Sequence, residues 1–430
     1  NDQEIAVGLT FGLLLSHDAG KTWVWICEDA FPYQGMYDPK YAYAASGALY
    51  ATTFDGVKVM RDSCTFTPVA DTKRFVTDVI AEPGGSSYYT AAEPGDTSAT
   101  PPVPSDYQVY HSTDDGLTFP NPVTVPGMAT WWQTIRAAPS LPATLYLTGY
   151  KYVPAADPKD KPVRQNVMYR SDNAGAAWTD LKIDAGKGVT LAPNSVIDVV
   201  GIASDDPKKV YIRVEVDDNV MSDSIYSSAD SGATWTKLIT QPVAILGFVV
   251  RAAKNPGGKH DLVLATEAMG TQVSHDDGKT WSGALAGAPH INCLSENTAG
   301  ELWACTQNYS GVGGVQSDDA GVMKTADLET WTKVLRYQEL TNAAACAADT
   351  VQAKTCAPMW CAVCAQLGCK AAASYNCPGG TEVPMVEPKS GGCCDAGSTG
   401  SGALALGVMI GTVLLRPRRR SKADHESRRP

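Results

Sequence analysis

The sequence predicts an all-β protein assembled from seven similar units, on the strength of three observations. A short polar sequence motif (below, the recurring word) with Ser, Asp, Gly, Thr and an aromatic residue recurs along the chain. An alternating strand, a Pro/Gly/Asn/Asp turn and a second strand precede most of its copies. Residues 1–335 show no convincing helical periodicity. Four-stranded repeats of roughly this length are typical of propeller blades, so we expect a seven-bladed β-propeller over residues 1–345.

The recurring word predicts a tight turn between two strands. Its Asp carboxylate can accept backbone N–H bonds within the turn, and its Gly can adopt a positive φ. The carboxylate is then already engaged, so we interpret each copy as structural and not catalytic. The clearest copies are SHDAGKTW (16–23), STDDGLTF (112–119), SADSGATW (228–235) and SHDDGKTW (274–281), with Asp18, Asp114, Asp230, Asp276, Gly20, Gly116, Gly232 and Gly278.

Weaker copies complete a series of seven turns, at VMRDSCTF (59–66), SDNAGAAW (171–178) and KTADLETW (324–331). The units are spaced by roughly 44 to 59 residues, and each one runs strand A, turn, strand B, variable loop, strand C, repeat turn, strand D. The first unit opens inside its A–B turn. Its innermost strand is expected either from residues upstream of Asn1 or from 339–349, and we favour the upstream residues.

The S-x-D-x-G-x-T-W word resembles the Asp-box, or BNR repeat, of β-propellers in the sialidase, sortilin and photosystem-assembly-factor-like superfamily. The resemblance covers residues 1 to about 340. It implies a sialidase-like propeller fold and says almost nothing about activity. In such folds the Asp-box turn joins the third and fourth strands, on the face away from the usual binding mouth.

The propeller region carries a strong negative charge. Residues 1–345 contain 25 Lys or Arg against 40 Asp or Glu, a net charge of −15, whereas residues 346–430 contain 10 against 6. A domain of this charge repels phosphate backbones, which disfavours nucleic acid as a partner. We expect a monomer that needs no cofactor or metal and binds a surface or extracellular ligand, either a glycan or a protein.

The chain has 12 cysteines, eight of them within residues 346–394, and this density indicates disulfides in an oxidising compartment. Metal binding is the weaker interpretation. None of the six His residues lies in that segment, and CAVC (361–364) has no second CxxC at zinc-ribbon spacing.

The spacing of the cysteines predicts particular bridges. Cys293 and Cys305 flank one turn on adjacent strands and are expected to pair. Cys27 is expected to pair with Cys64, because the two N-terminal blades have a less regular repeat pattern and a cross-link would stabilise them most. The six cysteines of a disulfide-stapled segment, 346–377, should form three bridges among themselves, with 15 possible connectivities.

A Pro/Gly linker (378–392) leads to a distinctive tail (393–430) with Cys393, Cys394, an apolar stretch and an Arg-rich end. The tail resembles the MYXO-CTERM sorting tail of myxobacterial surface proteins, which implies processing near the Cys pair. A marginal C-terminal membrane anchor is the alternative, since Ala403–Leu415 is shorter than the roughly 20 residues of a spanning helix.

Both interpretations of the tail place the protein outside the cell. They predict an exported protein on the surface of a Gram-negative bacterium, held there by a short hydrophobic tail helix whose Arg cluster stays cytoplasmic. The chain starts with Asn, so a signal peptide has been removed or was not included.

The innermost strands carry a repeated charge pattern. RAA recurs at Arg136 and Arg251, and DV recurs at Asp78 and Asp198, so neighbouring innermost strands alternate in charge. We expect the two Asp residues to pair with the two Arg residues in a polar central channel, which would keep the carboxylates ionised. The functional alternative is a charged ring at a binding mouth.

Two adjacent tryptophans, Trp131 and Trp132, stand at the entry of a predicted strand. Packing between blades is the simpler interpretation, and stacking on a sugar ring is the functional alternative.

The sequence gives little support for catalysis. Sialidases clamp a carboxylate with three Arg residues and begin with a Phe/Tyr-Arg-Ile-Pro word, which is absent here. We predict a non-catalytic, surface-displayed propeller that binds a polar or glycan-like ligand, with the insertions 93–106 and 151–166 supplying the surface. The alternative is a secreted glycoside hydrolase with two carboxylates roughly 5 to 10 Å apart in the propeller mouth.

Overall fold

The computed structural model describes residues 2–377, and the predicted linker (378–392) and tail (393–430, with Cys393 and Cys394) lie outside the described residues. Within 2–377 the description omits residues 32–38, 70–71, 73–74, 93–94, 96–97, 99–104, 121, 127–129, 156–158, 160–161, 184–185, 193–194, 218–220, 255–256, 267, 312–314 and 376. Among the described residues, no helix has the length and apolar character needed to cross a membrane.

Among the residues that the structure describes, seven antiparallel sheets succeed one another along the chain, which confirms the seven-bladed β-propeller. The first and sixth sheets have three strands and the others have four. Their strands are, in order, β1 (Ile5–Leu9), β2 (Gly12–Ser16), β3 (Val24–Ile26); β4 (Tyr41–Tyr43), β5 (Leu49–Thr53), β6 (Gly56–Met60), β7 (Phe66–Pro68); β8 (Val76–Ala81), β9 (Ser87–Ala91), β10 (Val109–Ser112), β11 (Pro122–Val123); β12 (Trp131–Ala138), β13 (Leu141–Val153), β14 (Val163–Ser171), β15 (Thr179–Asp180); β16 (Val196–Ile202), β17 (Val210–Asp217), β18 (Met221–Ser228), β19 (Thr236–Gln241); β20 (Ile245–Val250), β21 (Leu262–Thr266), β22 (Gly270–Ser274); β23 (Ile291–Glu296), β24 (Leu302–Thr306), β25 (Val322–Thr325) and β26 (Thr332–Leu335).

Several middle strands of the blades are buried on both sides. Leu13, Leu14 and Leu15 are fully buried in β2, and every residue of β5 and β21 is buried. A strand packed between two neighbouring sheets has no solvent-facing side, so its sequence reads as a continuous apolar run and does not alternate. The core is therefore distributed between the blades.

The first strands of blades two to seven line the centre of the ring. Strands β4 and β8 contact each other, as do β8 and β12, β12 and β16, β16 and β20, and β20 and β23. Because the strands of each blade are antiparallel and consecutive, the A–B and C–D connections lie at one end of the blade and the B–C and D–A connections at the other. Backbone bonds support this, since Ser231 N donates to Lys208 O across 3.0 Å. We call these ends the repeat-turn face and the loop face.

Residues 339–349 do not supply the innermost strand of the first blade. The first blade begins with β1, which corresponds to strand B of the other blades. Residues 342–344 pair with β3, at the opposite, outer edge of this sheet. There Trp25 N donates to Asn342 O, and Ala344 N donates to Trp25 O, at 3.1 and 2.9 Å in a parallel bridge. This proposed source of the innermost strand is wrong, because the segment is fixed to the outer edge of the blade.

The disulfides differ in part from the prediction. Cys293 is bonded to Cys305 across one strand pair, as the sequence predicts, with a Cα–Cα distance of 4.9 Å. The predicted Cys27–Cys64 pair is wrong. The bridges of the first two blades and of the C-terminal segment are Cys27–Cys356, Cys64–Cys346, Cys361–Cys377 and Cys364–Cys369.

Residues 341–377 therefore form an attachment to the propeller, which we call the C-terminal clasp. A π-helical turn (Gln352–Cys356) leads into helix α1 (Ala357–Leu367), which ends at Gly368 in the left-handed conformation. Short 3₁₀ turns occur at Glu28–Ala30, Tyr337–Glu339 and Ala373–Tyr375. Two of the six clasp cysteines bond to blades and not to each other, so three bridges within the segment was wrong.

The clasp packs its own apolar side chains against the first blade. Trp360 is fully buried, with its ring centroid 5.3 Å from that of Trp25, and its Nε1 donates to Thr341 O at 3.1 Å. Gln352 is also fully buried; its side chain donates to Trp25 O and accepts from Cys27 N. The outer edge of β3 is thereby covered, which removes an exposed sheet edge.

Candidate functional site

The four clearest repeat turns share one hydrogen-bond pattern. Ser16 Oγ donates to Asp18 Oδ1 at 2.9 Å and accepts from Gly20 N, while Asp18 accepts from both the amide and the hydroxyl of Thr22. The same contacts recur in the turns that begin at Ser112, Ser228 and Ser274. The Thr22 hydroxyl and amide lower the pKa of Asp18 to about 2. A carboxylate engaged in this way organises its own turn.

The variable residue before each Gly adopts a positive φ and can reach the neighbouring blade. Asp115 has a φ of 58° and accepts from Arg61 Nη1 at 3.1 Å. Asp277 occupies the same place in its turn; it is bonded to Lys209 and lies 3.1 Å from His260 Nδ1. Where this position is Asp, the repeat turn therefore also joins two blades.

An open cleft lies between the innermost strands of blades two, three and four, and we call it the channel cleft. It has a volume of about 520 Å³ and is lined by Lys40, Asp78 and Arg136 together with Tyr41 and Tyr43. Of the predicted site residues, the structure brings Asp78 and Arg136 together here.

Asp78 is the centre of a network within this cleft. Its Oδ2 accepts from Arg136 Nη1 at 2.6 Å and from Ile135 N at 2.9 Å, and its Oδ1 lies 3.6 Å from Lys40 Nζ. The Asp78 side chain is only 2% exposed, while those of Lys40 and Arg136 are each 37% exposed. The carboxylate therefore holds two partly exposed cations at the wall of the channel.

The predicted pairing of Asp198 with Arg251 is wrong. Asp198 lies opposite Arg213 in the β16–β17 pair and accepts from its Nη2 at 2.7 Å. Arg251 follows the end of β20 on the repeat-turn face, where it donates to Glu296 at 2.8 Å. A partner directly across a strand pair is closer than one on the next blade.

Arg213 gathers three carboxylates in blade five. Besides Asp198, Glu215 lies 3.4 Å and Asp223 lies 3.9 Å from its guanidinium. Burial raises the pKa of Asp223 to about 6, and its Oδ2 accepts from Ile245 N at 2.7 Å. Asp223 is buried among protein groups, so its raised pKa reflects packing within the blade.

The two adjacent tryptophans have different environments. Trp132 is fully buried, and its Nε1 donates to Tyr107 O at 3.0 Å, which is a packing role. Trp131 is half-buried at the loop face. Its ring contacts Phe75 at a centroid distance of 5.4 Å and stacks on Tyr150 at 6.3 Å.

Trp131 belongs to a row of rings that crosses three blades, which we call the aromatic strip (Phe54, Phe75, Trp131, Tyr150 and Tyr152). Phe54, in the β5–β6 turn, stacks on Phe75 at 4.9 Å, and Tyr150 contacts Tyr152 at 5.8 Å. Both ends of the strip are accessible, since Phe54 is 41% and Tyr152 is 62% exposed. The guanidinium of Arg164 lies over the Tyr150 ring at 4.2 Å.

The sequence did not single out most of this surface. Phe54, Phe75, Tyr152 and Arg164 are far apart along the chain, and Lys40 lies in a weakly patterned segment. The available signal was topological. B–C turns and D–A connections share one face of a propeller, so aromatic residues at those places converge. Part of the 151–166 insertion, which was predicted to supply binding surface, places Tyr152 in the strip and Arg164 beside it.

Among the described residues, no group of three or more His, Cys, Asp or Glu side chains has a geometry that could hold a metal ion.

No family model and no curated protein matches this sequence. Solved structures with a similar fold include a GH74 enzyme from Niastella koreensis, at 14% identity and a TM-score of 0.38, covering 80% of this chain and 62% of that chain. YCF48 bound to a D1 peptide is similar at 12% identity and a TM-score of 0.44, covering 75% of this chain and 89% of that chain. A PL25 ulvan lyase is similar at 13% identity and a TM-score of 0.40, covering 65% of this chain and 79% of that chain. This chain spans less than two thirds of the GH74 enzyme's length, and these similarities concern the fold alone.

Proposed function

We propose that this protein is a non-catalytic, glycan-binding propeller of the Asp-box type whose binding site lies on the loop face. The observation that carries the proposal is the aromatic strip, in which Phe75 directly precedes the strand of Asp78 and Trp131 begins the strand of Arg136. It lies on the face opposite the repeat turns.

The strip has the chemistry that sugars require. Aromatic rings offer flat apolar faces to the C–H faces of sugar rings, while neighbouring polar groups bind the hydroxyls. Large aromatic side chains with 41% and 62% exposure at the two ends of one continuous row are unusual on a surface that binds nothing. Successive ring centroids lie 4.9 to 6.3 Å apart. Tyr150 is buried beneath Arg164, so an extended ligand can contact the exposed rings of Phe54 and Tyr152 and the half-buried rings of Phe75 and Trp131.

The burial and the bonding partners of the carboxylates support binding without hydrolysis over the hydrolase alternative. A glycosidase needs an acid and a second carboxylate that both face the substrate. Asp78 is almost inaccessible, Asp198 is bonded to Arg213, and Asp223 is buried against a backbone amide. Hydrolysis of a polysaccharide that is lost in Asp198→Asn would favour the enzyme instead.

Replacing Trp131 or Tyr152 with Ala is expected to weaken glycan binding about tenfold, because each change removes one stacking surface. Soluble plant, algal and bacterial polysaccharides would be screened by affinity electrophoresis, and oligosaccharides of the best ligand titrated by calorimetry. Leu117→Ala is a matched control, since Leu117 is 61% exposed on the repeat-turn face. Wild-type affinity in both strip variants would contradict the proposal, as would failure of every polysaccharide to bind.

The disulfides indicate an extracellular or otherwise oxidising location. We further propose that the tail (393–430) holds the protein at the cell surface. Deleting 393–430 is expected to release the protein into the medium, as measured by immunoblots of cell and medium fractions. Deleting only the linker 378–392 is the control and should leave the protein cell-associated. Equal retention after both deletions would show that the tail is not the anchor.

A further inference from the structure

We infer that the channel cleft binds the carboxylate of an acidic sugar, so that the ligand is an acidic glycan whose chain end enters the channel. This inference rests on the proposed glycan-binding function and specifies its substrate class. It is carried by the arrangement of Lys40, Asp78 and Arg136 and by their position relative to the aromatic strip.

The cleft has an excess of positive charge in a domain that is otherwise strongly acidic. Lys40 and Arg136 face a single carboxylate, that of Asp78, whereas residues 1–345 as a whole carry a net charge of −15. Asp78 is 2% exposed, so an incoming ligand meets the two cations and not the carboxylate. An anionic group is therefore attracted to this part of the surface more than to its surroundings.

Arg136 keeps donors available for such a group. Its Nη1 donates to Asp78 Oδ2 and to Ile135 O, both at 2.6 Å. In the described part of the chain, its Nε and Nη2 donate to no protein acceptor, and they form one edge of the guanidinium. That edge matches the two oxygens of a carboxylate, the geometry in which Arg binds such groups most strongly. Asp78 fixes the opposite side of the guanidinium and so orients the free edge.

Lys40 connects this pair to the rim. Its Nζ lies 3.4 Å from Gln133 O, two residues beyond Trp131 on the same strand, β12. Arg136 lies five residues from Trp131, about 15 Å along an extended strand. A short run of sugar units spans this depth, so a chain end can bind the cations while the following units stack on the strip. The cleft volume of about 520 Å³ is sufficient for sugar units.

The test compares oligogalacturonates of four to six units with their methyl esters, which keep the sugar rings and lose the charge. Calorimetry at low salt is expected to show the acid form bound about tenfold more tightly, with the preference shrinking at high salt. The double variant Arg136→Gln/Asp78→Asn removes the guanidinium edge together with its buried partner and should reduce the preference to the part that Lys40 supplies. Lys40→Met should reduce the preference, and Phe54→Ala should weaken both ligands equally.

Arg61→Gln on the repeat-turn face is the control and should leave the preference intact. Equal affinity for acid and ester, with both still dependent on Phe54, would overturn the inference and leave the proposed function standing. Binding of free galacturonate as tightly as the oligomers would also overturn it, by showing a small-anion site. Absence of binding to any oligogalacturonate, while a neutral glycan binds the strip, would overturn it as well. Absence of all glycan binding would remove both proposals.

Discussion

Replacing Cys27, Cys64, Cys346 and Cys356 with Ser is expected to lower the free energy of unfolding by about 5 kcal/mol or more. The two bridges that these residues form join positions 329 and 282 apart in sequence, so they restrict the unfolded chain strongly. Without them the clasp can detach and expose both the outer edge of β3 and the apolar surface beneath α1. Urea denaturation followed by tryptophan fluorescence measures the loss, and light scattering reports aggregation through the exposed edge.

Trp360→Ala tests the same attachment without changing any cysteine. The side chain is fully buried against Trp25, and truncation of a buried Trp or Phe costs about 3 to 5 kcal/mol.

The matched control for the four-cysteine variant is Cys293→Ser/Cys305→Ser. This change opens a bridge spanning 12 residues and should cost less, about 3 kcal/mol. If the control cost as much as the four-cysteine variant, the clasp would not stabilise the propeller.

The repeat made the number and order of the blades predictable. A turn that satisfies its own carboxylate, as Asp18 does with Thr22, needs no tertiary partner, so its local sequence suffices to identify it. The apolar runs of the middle strands follow from packing between two sheets. The clasp was not predictable in this way, because Cys27 and Cys356 meet only after the ring has closed, and their pairing leaves no local pattern.

The site was predictable only where its contacts lie on neighbouring innermost strands. The Asp78–Arg136 ion pair was predictable from the alternating charges of successive A strands. The partner of Asp198 was not predictable, because Arg213 faces it across one strand pair. The register of that pair is not apparent from motif spacing. The aromatic strip depends on side chains from three blades meeting on one face. Such convergence becomes visible once the directions of all strands are known.

Arg213→Met is expected to lower the free energy of unfolding by about 3 kcal/mol or more at pH 8. The change leaves Asp198, Glu215 and Asp223 close together without their shared cation. Uncompensated carboxylates in a partly buried cluster repel one another, and their ionised forms are poorly solvated. The loss should be largest where all three are ionised.

The pH dependence of this loss has a definite sign. Burial already raises the pKa of Asp223 from 3.8 to about 6. The folded state then binds the proton more tightly than the unfolded state does, so this group's contribution to stability falls as the pH rises from about 4 to 6. Removing the cation, whose charge favours the ionised form, raises the pKa of Asp223 further and extends the window upward. The deficit of Arg213→Met is therefore expected to be at least about 1 kcal/mol smaller at pH 5 than at pH 8.

Urea denaturation of wild type and variant at both pH values gives these differences directly. Lys333→Met is the matched control, because Lys333 forms an exposed pair with Asp319 at 2.9 Å and its loss should leave the free energy of unfolding nearly unchanged at either pH. A second variant, Arg213→Met/Asp223→Asn, should recover part of the stability at pH 8 by removing one of the unpaired charges. A deficit independent of pH, or no recovery in the double variant, would mean that Arg213 stabilises blade five through packing of its side chain and not by neutralising the three carboxylates.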